Sequence, residues 1–372
     1  MKKHNLLTPS VLVDQDILKH NINKYQSACN NNDKQLWPMI KTHKSTHIAK
    51  MQLQAGASGF LCGTLDECEI LVEAGITNIM YAYPVATKTS IDRIIELRKK
   101  CNIISRIDGL EAAKLLNDAA KKDEVVIDYT IIINSGLNRL GIPPKEAAKF
   151  ARALKPFKNL KFRGISTHPG HVYSATENKQ VSKYALQEVE TLQMASDLLK
   201  ADNFEVDIIT SGSTPTFQEA VTDSTIDIFH PGNYVYHDAV QVALGMATQS
   251  ECALTVLAAI ISNPESGIFI IDAGSKTLGL DKGAHGNTSI KGYGIIKHHP
   301  EAEVISLSEE VGKISVSANS DLKVGEKIEI IPNHACVVNN LTSRLITHHD
   351  DVVTGTIEID MRGNSHYYPT GI

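Results

Sequence analysis

The chain has 372 residues, 42% of them hydrophobic, with a net charge of −5 and no long basic or acidic block. That is enough apolar material for one large barrel with an addition, or for two domains. The charge balance argues against nucleic acid and against an anionic membrane as partners. No run approaches the roughly 18 apolar residues of a membrane helix. Pro9 and Asp14 interrupt the start, so no signal peptide is read and a cytoplasmic protein is expected. The six cysteines are scattered without CxxC spacing, which argues against a disulfide framework or a zinc ribbon.

Val11-Leu12-Val13 reads as a short strand, and Asp16 is placed to cap a helix over 17–30. From about 35 to 235, short Val/Ile-rich runs alternate with segments of helical period. Strands are expected near 35–41, 57–63, 78–84, 102–107, 127–134, 161–167, 206–211 and 225–229. Helices are expected between them, at 46–55, 65–74, 88–100, 110–122, 144–154 and 178–201. Eight such strands are the count of a closed (β/α)8 TIM barrel, whose chemistry lies at the carboxyl ends of its strands. A doubly wound sheet competes, but no GxGxxG follows the first strand. After about 245 only short strand-like runs remain, at 254–262, 267–273, 303–306, 313–317, 327–331 and 352–359. The expected organisation is a barrel over 11–245 and an all-β domain over 246–372, which residues 1–10 are free to join.

Candidate residues cluster at the strand ends. Lys41 closes the first strand, where partial shielding lets an amine lose its proton and attack a carbonyl. Lys44 reads as an ordinary surface lysine. Arg139, after the fifth strand, is placed to hydrogen-bond a bound ring. His168, His171 and Tyr173 follow the sixth, where they can stack on a cofactor or move protons. Ser211-Gly212-Ser213-Thr214 after the seventh and Gly232-Asn233-Tyr234 after the eighth supply the small residues and free N–H groups of a phosphate cup. A lysine, a phosphate cup and ring contacts around one mouth are what pyridoxal 5′-phosphate requires. In the β region, His334 and Cys336 stand two apart. On a strand they would share a face, and imidazole with thiolate favours Zn2+. The pairs His298-His299 and His348-His349 read as solvated turns.

Trp37-Pro38-Met39-Ile40-Lys41-Thr42-His43-Lys44, Ser211 to Thr216, His230 to Tyr234 and Pro332 to Cys336 together resemble the D-serine dehydratase and D-threonine aldolase family. These are fold-type III enzymes with an alanine racemase-like barrel. The resemblance implies a PLP-dependent lyase acting on a small D-amino acid as a homodimer. It implies Lys41 as the Schiff-base lysine, Tyr173, Thr214, Gly232 and Asn233 at cofactor positions, and His334 with Cys336 as the metal pair. The His-x-Cys spacing and Tyr81-Ala82-Tyr83-Pro84-Val85 look closer to the dehydratases, so D-serine dehydratase is the expectation. D-threonine aldolase, a 3-hydroxyaspartate lyase, an amino-acid racemase and a non-enzymatic cofactor carrier are the alternatives. Met39, Ser166 and Val311 depart from the family pattern.

Overall fold

The computed structural model describes residues 1–282, 287, 289–317 and 320–362. A first strand, β1 (Ser10–Asp14), precedes helix α1 (Gln15–Asn31). Asp14, not Asp16, caps that helix: its carboxylate accepts from the N–H groups of Asp16 and Ile17 at 3.0 and 3.1 Å. Eight parallel strands follow: β2 (Gln35–Leu36), β3 (Phe60–Cys62), β4 (Asn78–Tyr81), β5 (Asn102–Ile107), β6 (Ile127–Ile132), β7 (Leu160–Ser166), β8 (Ile208–Ser211) and β9 (Ile228–Phe229). Helices α2 (Thr46–Ala55), α3 (Leu65–Glu73), α4 (Lys88–Lys100), α5 (Leu110–Lys122), α6 (Ala147–Leu154), α7 (Asn178–Ala201) and α8 (Thr214–Ala220) lie outside them. The strands run in the order β2-β9-β8-β7-β6-β5-β4-β3. A parallel bridge between Met39 and Leu61 joins the two ends and closes the barrel.

The first barrel strand is shorter than the expected 35–41. Pro38 has no N–H to give, so the regular ladder stops at Leu36 and resumes only as the single bridge at Met39. Lys41 therefore sits in a 3-10 turn, Ile40–Thr42, just beyond the strand. The next strand ends at Cys62, where Thr64 and Glu67 form a reciprocal capping box that starts α3 at once.

The second sheet contains β1 with β10 (Leu254–Glu265), β11 (Ile268–Ile271), β12 (Ile295–Ile296), β13 (Ala302–Leu307), β14 (Gly312–Val316), β15 (Lys327–Ile331), β16 (Arg344–His349) and β17 (Val352–Glu358). Strand β1 lies between β10, antiparallel to it, and β16, parallel to it. The chain thus starts in the β sheet and enters the barrel only through α1. Short helix α9 (Ala239–Ala243) links the barrel to the β region, which α10 (Ser275–Leu278) and α11 (Ala335–Leu341) interrupt.

The reading of His348-His349 as a turn is corrected. Both end β16, and His348 is buried, with Nδ1 2.8 Å from the Asp350 carbonyl. His349 is exposed and contacts the Asp16 carboxylate. No helix among the described residues is long and apolar enough to cross a membrane.

Candidate active site

The carboxyl ends of the barrel strands and the start of α11 enclose a cavity of about 560 Å3, within the ordinary range for a small-molecule site. Lys41, Arg139, His168, Tyr173, Gly212, Ser213, Gly232, Asn233, His334 and Cys336 all line it. Residues from six separate stretches of chain thus meet at one mouth.

Two of the expected residues do not line it. The Tyr234 ring is fully buried against Tyr25, centroids 4.5 Å apart, and its hydroxyl accepts from Gln52 Nε2 at 2.8 Å. Thr214 is buried too; its hydroxyl oxygen accepts the Tyr234 N–H at 3.1 Å. Both brace the phosphate cup from behind.

The cup is set by close approach. Gly212 has φ +149°, and a Cβ there would stand 2.6 Å from the backbone nitrogen of His230. A Cβ on Gly232 would stand 2.7 Å from the Thr42 hydroxyl. The N–H groups of Gly212, Ser213, Gly232 and Asn233 donate to no protein group among the described residues. Partly buried backbone donors without partners call for an acceptor, and a phosphate supplies several.

His168 Nδ1 lies 2.9 Å from the Gly212 carbonyl and so carries the proton. Burial, then the Lys41 ammonium, pushes His168 down to about 3, so it presents a neutral ring. His230 donates from Nδ1 to the Trp37 carbonyl at 2.8 Å and, through burial and the Arg106 guanidinium, is also lowered to about 3. Arg139 is exposed at the rim, 5.8 Å from the centroid of the Tyr83 ring. Burial raises the Tyr173 phenol, which therefore stays protonated.

Glu188 reaches the cup from α7. It is fully buried and takes the Ser211 hydroxyl. Burial, eased by Ser211 and Thr216, raises its carboxyl to about 7. A carboxyl whose folded value lies above its unfolded one favours folding most at low pH. That advantage is lost as pH rises from the ordinary carboxyl value of 4.5 through about 7. The wild type is therefore expected to lose stability relative to Glu188→Gln across this window, by a few kcal/mol, in urea denaturation at pH 5 and pH 8.

His334 and Cys336 are not on a strand. His334 is the N-cap of α11 and Cys336 lies in its first turn. The start of the helix, not strand alternation, brings both side chains to the cavity. His334 Nδ1 is 2.6 Å from the Asp281 carboxylate, and the Cys336 sulfur is 3.3 Å from the Thr42 hydroxyl. Burial opposes charge on both. Even so, Cys336 and Asp281 hold His334 well above its usual value, and His334 holds Cys336 below that of a thiol. An imidazole backed by a carboxylate beside a thiolate is a soft donor pair that fits zinc.

Three features escaped the sequence reading. Lys44 is not a surface lysine: it lines the cavity, buried, 2.8 Å from Glu67. Arg106 is a buried guanidinium on β5 that also lines the cavity. It makes no ion pair among the described residues and instead meets Met80 Sδ at 3.2 Å and Thr210 Oγ1 at 3.3 Å. A charge inside the apolar run Ile103-Ile104-Ser105-Arg106-Ile107 was the available signal. Asn340, one turn beyond Cys336, lines the same wall and carried no such signal.

Comparison with known proteins follows this geometry. The family described as "Alanine racemase, N-terminal domain" matches residues 13–240, and "Putative serine dehydratase domain" matches 253–348. A D-serine dehydratase from Dictyostelium discoideum is 28% identical over 90% of this chain and 91% of its own. A D-threonine aldolase from Arthrobacter is 24% identical over 96% and 93%. The solved D-threo-3-hydroxyaspartate dehydratase from Delftia superposes with a TM-score of 0.90 at 25% identity, covering 99% of this chain and all of that one. The chain belongs to the alanine racemase family by its barrel and, with the second domain, to the D-serine dehydratase and D-threonine aldolase group of pyridoxal-phosphate-dependent lyases.

Proposed function

We propose that the protein is a zinc-dependent D-serine dehydratase that eliminates water from D-serine, the released enamine then taking up water to give pyruvate and ammonia. The observation that carries this reading is that Lys41 and the His334–Cys336 pair line one cavity. The free N–H groups of Gly212, Ser213, Gly232 and Asn233, with the Ser213 hydroxyl, would hold the phosphate of pyridoxal phosphate, and His168 would face its ring. When bound, the cofactor delocalises the charge left at the substrate's α-carbon. His334 and Cys336 would hold zinc, which as a Lewis acid makes a β-hydroxyl a better leaving group.

The chain's own part is positioning and proton transfer. Lys41 Nζ takes the proton from the α-carbon. Arg139 at the rim is placed to fix a carboxylate. His168 and His230, both neutral, add no charge that would compete for it.

The wall beyond Cys336 is built from Val337, Asn340 and Leu341, with Leu137 and Leu140 also lining the cavity. None of these offers a cation for a second carboxylate, and Lys44 is taken by Glu67. That wall suits a small hydroxymethyl side chain, whereas the second carboxylate of 3-hydroxyaspartate would have to reach Arg106 or Arg139, which line the cavity elsewhere. The second reading is D-threonine cleavage to glycine and acetaldehyde, which the same lysine and metal pair would serve. A homodimer that closes the mouth is proposed with either.

The test is a panel of D-3-hydroxy amino acids, with keto acid and aldehyde assayed separately before and after chelation. Pyruvate from D-serine, lost with chelator and regained with zinc, is expected. Acetaldehyde from D-threonine without 2-oxobutanoate would overturn the dehydratase reading. Full turnover in metal-free protein would remove the zinc.

A further inference from the structure

The most deeply buried ion pair among the described residues, Lys44 with Glu67, lies in the cavity wall, with side chains 7% and 0% exposed. Burying two charges costs about as much as their attraction returns, so such a pair is a poor stability device. It joins two successive strand-end turns. On one side, the Lys44 N–H donates to the Ile40 carbonyl at 2.9 Å, closing the turn that carries Lys41. The Lys44 carbonyl accepts the Met361 N–H at 3.0 Å, and its backbone is left-handed at φ +48°. On the other side, the second Glu67 oxygen accepts from Gly63 N at 2.6 Å and Thr64 N at 3.2 Å.

Between the two turns runs the Lys41 side chain. A Cβ on Gly63 would stand 3.5 Å from Lys41 Cβ, 3.7 Å from Lys41 Cδ and 3.5 Å from the Glu67 carboxylate. The stem of Lys41 thus lies over the bare face of Gly63, beside Glu67. We propose that the Lys44–Glu67 pair is a clamp that positions Lys41, drawing the two turns together so that its amine is held toward the cavity. Lys44 is then a positioning residue, acting through Glu67 and Gly63. The inference rests on the reading that Lys41 is the residue that bonds the cofactor. A lysine stem has many rotamers, and holding one of them lowers the barrier to reaction in advance.

The double variant K44M/E67Q removes both charges and keeps an acceptor for Gly63 and Thr64. Three quantities are measured on the full chain: unfolding midpoint, pyridoxal phosphate affinity by equilibrium dialysis, and the rate at which borohydride traps cofactor on Lys41. Midpoint and affinity are expected to stay near wild type while trapping slows by about 10²-fold, the scale of a misplacement near 1 Å. K44R, which keeps the pair, should retain most of the rate. Trapping at the wild-type rate in the double variant would overturn the clamp. No trapping in the wild type would overturn the proposed function instead. Should the double variant unfold, K44M alone is read in the same way, since the Glu67 carboxylate then keeps the Gly63 and Thr64 N–H groups as partners.

Discussion

Replacing Lys41 with alanine is expected to abolish borohydride-stable attachment of pyridoxal phosphate and to cut D-serine turnover by about 10⁴-fold, the upper range for a lost acid–base group. The side chain is half-buried and lines the cavity, while its neighbour Ile40 carries the turn's core packing, so the fold should survive: the unfolding midpoint should move little. Phosphate binding should survive as well. The N–H donors of Gly212, Ser213, Gly232 and Asn233 belong to other loops and keep their geometry without the amine. The variant should therefore still take up inorganic phosphate in equilibrium dialysis. Attachment of the cofactor to a different lysine, with turnover intact, would remove Lys41 from the mechanism.

Gly212→Ala should have the second large effect, by a different route. The added methyl would stand 2.6 Å from the His230 nitrogen and 3.0 Å from its carbonyl carbon, both backbone atoms with no rotamer to yield. At φ +149° the backbone itself also disfavours alanine. Strain and overpacking together are expected to cost about 2–5 kcal/mol of stability. Relaxation would push apart the loops after β8 and β9, which form the two sides of the cup. Cofactor affinity should fall by about 10²-fold or more, in line with the loss of about 3 kcal/mol of hydrogen bonding. Gly75→Ala is the control, since no atom lies within 4 Å of a Cβ there; its φ of +84° reports the backbone penalty alone. Equal affinity losses in the two variants would show that crowding at His230 is not the cause.

Much of this site was legible because barrel topology converts order along the chain into place around a mouth. Once eight alternations were counted, Lys41, Arg139, His168, Gly212 and Gly232 fell at consecutive strand ends, and the cavity contains all of them. Pairings between distant segments were not legible. Lys44 looked like any lysine after a strand, because its partner Glu67 belongs to the next element and burial has no local signature. Thr214 and Tyr234 stand at the start of helical segments just past the cup, and their side chains enter the core while Ser213 and Asn233 face the cavity. His334 and Cys336 line the cavity from a helix start and not from a strand. Pro332 and Asn333, a strand stop followed by a cap-type residue, were the available signal, and the helix start was read as continued strand.

The position of β1 has a consequence for synthesis. Ser10–Asp14 is synthesised before the whole barrel, yet both its neighbours, β10 and β16, come after it. Until then its Leu12 and Val13, fully buried in the finished protein, have an open flank. A nascent chain halted after the barrel should accordingly recruit chaperones at β1, and release from them should wait on translation of β10 and β16.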